Sequence, residues 1–107
     1  MGTFVITKSA NGEHRFNLKA GNRETILTSE GYSSKANCEN GIESVRTNSQ
    51  LEERFEKKNS TNNKYFFNLK ASNGQVIGTS EMYESASARD AGIASVKANA
   101  PNATVEE

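Results

Sequence analysis

A chain of 107 residues, 34% hydrophobic and 24% charged, has room for one modest core and no more. Its 13 basic and 13 acidic side chains cancel, which argues against a partner held chiefly by phosphate neutralisation. The strictly apolar runs stop at three residues (Phe4-Val5-Ile6, Tyr65-Phe66-Phe67), so no membrane segment is expected. The start, Met1-Gly2-Thr3-Phe4, lacks a charged region followed by an apolar stretch, so no secretory signal is read and a cytoplasmic location is expected.

Residues 3–8 are β-branched and aromatic and predict a strand. Ser9-Ala10-Asn11-Gly12 predicts a turn, because Asn and Gly tolerate positive φ. Residues 14–20 alternate: Phe16, Leu18 and Ala20 fall on one face, Arg15, Asn17 and Lys19 on the other. Gly21-Asn22 turns the chain again, and Glu24–Thr28 predicts a third strand with Ile26 inward. A helix should follow, capped by Ser33 or Ser34, with Cys38, Gly41, Ile42, Val45 and Ser49 forming one stripe. Gly41 costs about 1 kcal/mol relative to Ala in a helix, so close backbone approach to the sheet or a partner helix is expected there. Residues 51–58 predict an extended segment that ends one unit and begins the next.

The same order then recurs. A shift of 51 residues lays 4–50 onto 55–101 without a gap and gives 20 identities in 47 positions. Phe16-Asn17-Leu18-Lys19-Ala20 matches Phe67-Asn68-Leu69-Lys70-Ala71, and Thr28-Ser29-Glu30 with Tyr32 matches Thr79-Ser80-Glu81 with Tyr83. Gly41-Ile42 and Ser44-Val45 match Gly92-Ile93 and Ser95-Val96. This is a tandem duplication. The second helix stripe is Arg89, Gly92, Ile93, Val96 and Ala100, and the helix should stop before Pro101. Each unit reads strand–strand–strand–helix–strand, with Ala103-Thr104-Val105 as the second extension. A unit this small buries too little alone, and no flexible linker separates the copies. One domain spanning 1–107 is therefore expected, with repeats at about 3–54 and 55–106, one shared sheet and both helices on one face.

The repeated Phe-Asn-Leu-Lys-Ala, the Thr-Ser-Glu-x-Tyr blocks and the Gly-Ile-x-Ser-Val helix resemble the YegP-like family of small bacterial proteins of unknown function. The resemblance covers residues 3–106, in both copies. It implies an α+β fold of tandem β(3)-α-β repeats sharing one antiparallel sheet, with C-terminal strands exchanged between repeats. It implies no established activity. Two departures stand out: Arg23 replaces a turn glycine that Gly74 keeps, and Cys38 stands where the second copy has Arg89.

Two groups of residues could carry a function. Asn17, Lys19, Asn68 and Lys70 lie opposite the apolar stripe and could bind an anion, a peptide or nucleic acid, with Phe66 beside them to stack a base. An antiparallel sheet also needs a polar solvent face, and these residues would serve as one. Glu30, Tyr32, Glu81 and Tyr83 could act as acid/base pairs or could cap the helices and tie down the loops. His14 reads as a strand-surface residue and Cys38 as a small core residue; a single His and a single Cys leave no metal set. No phosphate loop or nucleophile motif is present. The expected class is a non-enzymatic binding or interaction module that uses the open sheet face or the groove between the two copies, monomeric, with no cofactor and no metal. A nucleic-acid binder using the open sheet face, and an enzyme without a recognisable motif, are the alternatives.

Overall fold

The computed structural model describes residues 2–107. In chain order it runs β1 (Thr3–Lys8), β2 (His14–Lys19), β3 (Thr25–Thr28), α1 (Lys35–Asn48), β4 (Phe55–Asn59), β5 (Tyr65–Lys70), β6 (Val76–Thr79), α2 (Ala86–Asn99) and β7 (Thr104–Glu106). Single 3-10 turns at Glu52–Arg54 and Ala100–Asn102 follow the two helices. No described helix is long and apolar enough to cross a membrane.

Local chemistry accounts for these boundaries. Gly12 and Gly74 take φ of 86° in their hairpin turns, and Asn63 and Arg23 hold φ of 66° and 70° at the equivalent places. Arg23 thus keeps a left-handed backbone that a glycine would adopt without strain. Ser34 and Ser85 cap the helices, each accepting a hydrogen bond from the backbone N–H three residues on.

The seven strands form one sheet in the order β4-β5-β6-β3-β2-β1-β7. Thr28 of β3 lies opposite Thr79 of β6, its own counterpart in the duplication, so the pseudo-two-fold axis passes between these strands. The shared sheet and the repeated strand–helix pattern are therefore as expected, with two differences. The sheet is mixed, because β7 runs parallel to β1. Only the second copy contributes an exchanged C-terminal strand: the matching segment of the first copy is not extended over 51–58 but makes the turn Glu52–Arg54 and passes directly into β4. The covalent connection consumes the residues that an exchanged strand would need.

The core lies between one sheet face and the two helices. Phe4, Phe16, Leu18, Leu27, Ile42, Val45, Phe67, Leu69 and Val96 are fully buried there. Burial of each such side chain contributes about 1.5–3 kcal/mol. Ile26 and Leu27 are both buried although they are adjacent, because a bulge in β3 slips the register from Leu18–Leu27 to Lys19–Thr25. The helices reach across the axis: α1 packs on β2 but also on β5 and β6, and α2 packs on β5 and on β3. Arg46 of α1 lies 5.1 Å from the Phe4 ring and donates to the carbonyls of Ala100 and Pro101, holding the second copy's terminal turn. Lys97 plays the matching part over Phe55, 5.8 Å from its ring, with Glu52 as its carboxylate.

At the axis the duplication cannot be symmetric. A Cβ built on Gly78 would lie 2.6 Å from Leu27 Cδ2, so one leucine fills a space that two would contest. Gly78→Ala should therefore lower stability by about 1–3 kcal/mol, as overpacking does. Combined with Leu27→Ala, which opens the same space, it should cost less than the sum of the single changes. Denaturant melts of the four proteins in this cycle check the coupling. Because helices and core cross the axis, both copies should unfold in one transition, observed as coincident near- and far-ultraviolet circular dichroism melts. Two separated transitions would contradict this.

Candidate functional site

The residues singled out by the duplication fall on opposite sides of the sheet. Phe16, Leu18, Phe67 and Leu69 point into the core, so Arg15, Asn17, Lys19, Phe66, Asn68 and Lys70 stand on the open face. Strand register sets Glu56, Asn68, Thr79, Thr28, Asn17, Val5 and Glu106 in one row across all seven strands. Asn17 and Asn68 thus flank the paired threonines symmetrically, and Lys19 and Lys70 lie one step to either side of the row. Thr79 Oγ1 donates to Asn68 Oδ1 at 2.9 Å.

The two lysines differ because their neighbours do. Lys70 Nζ is 3.2 Å from Glu56 Oε1. The hydrogen bond from Lys70 draws the Glu56 carboxyl below its ordinary value, with Asn68 adding to the effect. Val5 occupies the Glu56 position in the first copy, and among the described residues no carboxylate lies within 4.0 Å of Lys19. Lys58, opposite Phe66 on β4, is likewise without a carboxylate among the described residues. The open face therefore carries two unpaired cations and a half-buried aromatic ring.

Glu30, Tyr32, Glu81 and Tyr83 belong to the helix side instead. The Tyr32 backbone pairs with His14, its N–H donating at 2.7 Å and its carbonyl accepting at 2.8 Å. The Tyr32 ring stacks on Phe16 with centroids 6.2 Å apart, and a Cβ on Gly41 would lie 2.4 Å from its hydroxyl oxygen. The recurring helix glycines thus make room for a tyrosine, Gly92 for Tyr83 as Gly41 for Tyr32, and not for backbone of the sheet or partner helix. Ser29, fully inside, accepts from the Phe16 N–H and donates to the Glu30 carbonyl; Ser80 repeats both bonds with Phe67 and Glu81. The Thr-Ser-Glu blocks therefore tie the loop to β2 and β5.

Each tyrosine borders a cleft that no single copy forms. Tyr32, Gly41 and Ser44 face Ala71, Asn73 and Gln75 of the other copy across about 720 Å³. Tyr83, Gly92 and Ser95 face Ala20, Asn22 and Glu24 across about 580 Å³. Sequence reasoning missed these pairings, since nothing in a single strand pattern says that β3 and β6 are neighbours. The linings have diverged: Asn37, Asn40 and Gln75 in the first cleft are Ala88, Ala91 and Glu24 in the second.

Neither phenol is activated as a base. Desolvation pushes both phenols above their ordinary value, and the nearby carboxylates Glu30 (for Tyr32) and Glu81 with Glu24 (for Tyr83) push the same way. An activated base would need the opposite shift. Burial likewise raises the Cys38 thiol. His14 is half-buried, not a surface residue, and its Nδ1 is enclosed without a hydrogen-bond partner. Among the described residues no group of three His, Cys, Asp or Glu side chains is placed to hold a metal.

A duplicated β(3)-α unit, with no metal-holding cluster among the described residues, is the class this geometry defines. The family profile "Domain of unknown function (DUF1508)" matches residues 9–56 and again 60–107. The chain belongs to the YegP-like (UPF0339) family of small bacterial proteins of unknown function. It is 58% identical over 106 residues to UPF0339 protein YegP of Escherichia coli (strain K12), covering 99% of this chain and 96% of that one. A UPF0339 protein of Shewanella oneidensis is 52% identical over 106 residues, with the same coverage of both chains. The solution NMR structure of the Escherichia coli protein of unknown function yegP matches with a TM-score of 0.93 over 98% of this chain and 90% of that chain. The UPF0339 protein SO3888 of Shewanella oneidensis gives the same TM-score over 98% and 89%.

The phenol shifts carry a pH dependence. In the unfolded chain a tyrosine ionises near pH ~10, while folded Tyr32 and Tyr83 keep their protons to higher pH. Their contribution to stability is full below that value and is lost as pH rises through and beyond it. Denaturant melts between about pH 9 and 11 should show a decline that is shallower in Tyr32→Phe with Tyr83→Phe than in the parent. Equal slopes would mean that the phenols are not the cause.

Proposed function

We propose that the protein is a non-enzymatic binding module, monomeric and cytoplasmic, that holds an extended anionic partner across the open face of its sheet. The observation that carries this reading is the polar row at the axis, where Asn17 and Asn68 are recurrent and Lys19 stands unpaired. A purely solvated face would be served by many polar residues, whereas a shared partner needs the same donors in both copies. Lys19 and Lys58 lie four strands apart, about 19 Å at the usual strand spacing, which suits a chain-like ligand and not a single small anion. Each linked half-site adds affinity provided both engage together.

Phe66 favours single-stranded nucleic acid as a specific form of this reading, since a half-buried ring on the open face, between polar and basic side chains, can stack a base. A small-molecule ligand in the cross-copy clefts is the second reading, favoured by the volumes of about 720 and 580 Å³, which fall within the range of ligand pockets.

The test is a fluorescence titration with a labelled single-stranded oligonucleotide and with a polyglutamate peptide, at low and high salt. Lys19→Ala should weaken binding more than Lys70→Ala, because Lys70 is already engaged by Glu56. The double change should weaken it most, and stability should move by no more than about 0.5 kcal/mol, as is usual at surface positions. Unchanged affinity in the double variant removes the open face from consideration.

A further inference from the structure

β1 and β4 are equivalent strands whose outer edges end differently. Against β1 lies β7, with Thr3 opposite Thr104, Phe4 opposite Val105 and Val5 opposite Glu106. β4 pairs with β5 alone and forms the other end of the sheet. Its matching cover is missing because the first copy's terminal segment became β4 itself.

The place left open keeps the helix-side half of what seats β7. Val105 borders Glu39, Asn40, Ile42 and Glu43 of α1. The equivalent stretch of α2, around Asp90, Ile93 and Ala94, lines a pocket of about 270 Å³ closed by Lys57, Lys97 and Glu52. β7 is held further by carboxylates: Glu106 lies 3.7 Å from Arg23 and Glu107 lies 2.5 Å from Lys35. Gly74 and Ala86 stand where the first copy has Arg23 and Lys35, so at the β4 edge cations are supplied by the edge strand itself. Lys57 is 3.3 Å from Asp90 on the helix side, and Lys58 is exposed on the open side with no carboxylate within 4.0 Å among the described residues.

We propose that the β4 edge receives an extended segment of a partner protein, added parallel to β4, whose apolar β-branched residue enters the Ile93–Ala94 pocket and whose next residue, a carboxylate, meets Lys58. The Phe55 N–H already bonds to the Glu52 carbonyl, so the first rung of the edge is taken. The incoming strand therefore starts two residues later than β7 does on β1. A shift of two preserves which side chains face the helix, so the apolar residue falls opposite Lys57, whose own side chain lines the pocket. The carboxylate then falls opposite Lys58. This apolar-then-acidic order is the one that Val105-Glu106 presents to β1. Strand addition of this kind draws affinity from main-chain hydrogen bonds and selectivity from such pockets. A second copy is a poor occupant: a two-fold pairing of two β4 edges centred on Lys57 or Lys58 sets that lysine against its own counterpart, and edge lysines discourage self-association in this way.

The probe is the acetylated peptide of residues 102–107, Asn-Ala-Thr-Val-Glu-Glu, titrated into the full isotope-labelled chain and followed by amide NMR shifts. Saturable shifts should appear at Phe55–Asn59, Ile93 and Ala94. Lys58→Glu should weaken binding about fivefold, the scale of reversing one exposed ion pair, with the β1 and β2 amides unmoved. A peptide carrying Asp in place of Val should lose binding at every concentration tried. The proposal is overturned if no shift occurs at millimolar peptide, or if shifts are confined to β1, meaning that the peptide has only displaced β7. It is also overturned if β4 amides shift with protein concentration alone, meaning that a second copy takes the edge.

Discussion

The contact of Leu27 with Gly78 at the seam between β3 and β6 is the constraint on which the rest of the molecule depends. Besides the exchanged β7 on β1, those two strands pair the copies, and they meet only around Thr28 and Thr79. So short a ladder would be a weak joint by itself. It holds because a leucine from one copy lies in the space that a glycine leaves in the other, and because each helix packs across the seam onto the opposite copy. Close packing makes the seam intolerant of symmetry: two leucines would collide and two glycines would leave a void.

Both candidate regions follow from that seam. Joining β3 to β6 antiparallel aligns the polar residues of β2 and β5 into one row on the open face. It also swings the β5–β6 hairpin over α1, and the β2–β3 hairpin over α2, to create the two clefts. Divergence then acts on parts that are equivalent in position. Val5 against Glu56 frees one lysine and engages the other, and Arg15 against Phe66 exchanges a cation for an aromatic surface. The pattern is a symmetric scaffold with an asymmetric surface.

The covalent link imposes a further asymmetry. Two free copies could each send a terminal strand to the other. In one chain, the segment after α1 must instead turn and become β4, so one sheet edge is covered and the other is bare. Arg46 and Lys97 show the consequence in detail: equivalent cations sit over equivalent rings, but Arg46 holds a turn leading to an exchanged strand while Lys97 meets Glu52 in the link itself.

Much of this was legible in the residues. Alternation in 14–20 and 65–71 assigned Phe16, Leu18, Phe67 and Leu69 to the core, the 3.6-residue stripe assigned Ile42, Val45, Ile93 and Val96, and the shift of 51 residues disclosed the duplication. These are local or periodic signals, which depend only on the pleat of a strand and the pitch of a helix. Other features rest on contacts between residues far apart in the chain. The glycines at 41 and 92 are explained only by the tyrosine hydroxyls above them, and the bulge at Ile26 only by the register it shares with β2. The unpaired state of Lys19 depends on Val5 standing where Glu56 stands in the other copy, across a strand pairing that periodicity cannot choose. Sequence periodicity determined which face of each element is buried. Only the tertiary structure decided which faces meet, because register and strand order are set by the joint packing of both copies at one seam.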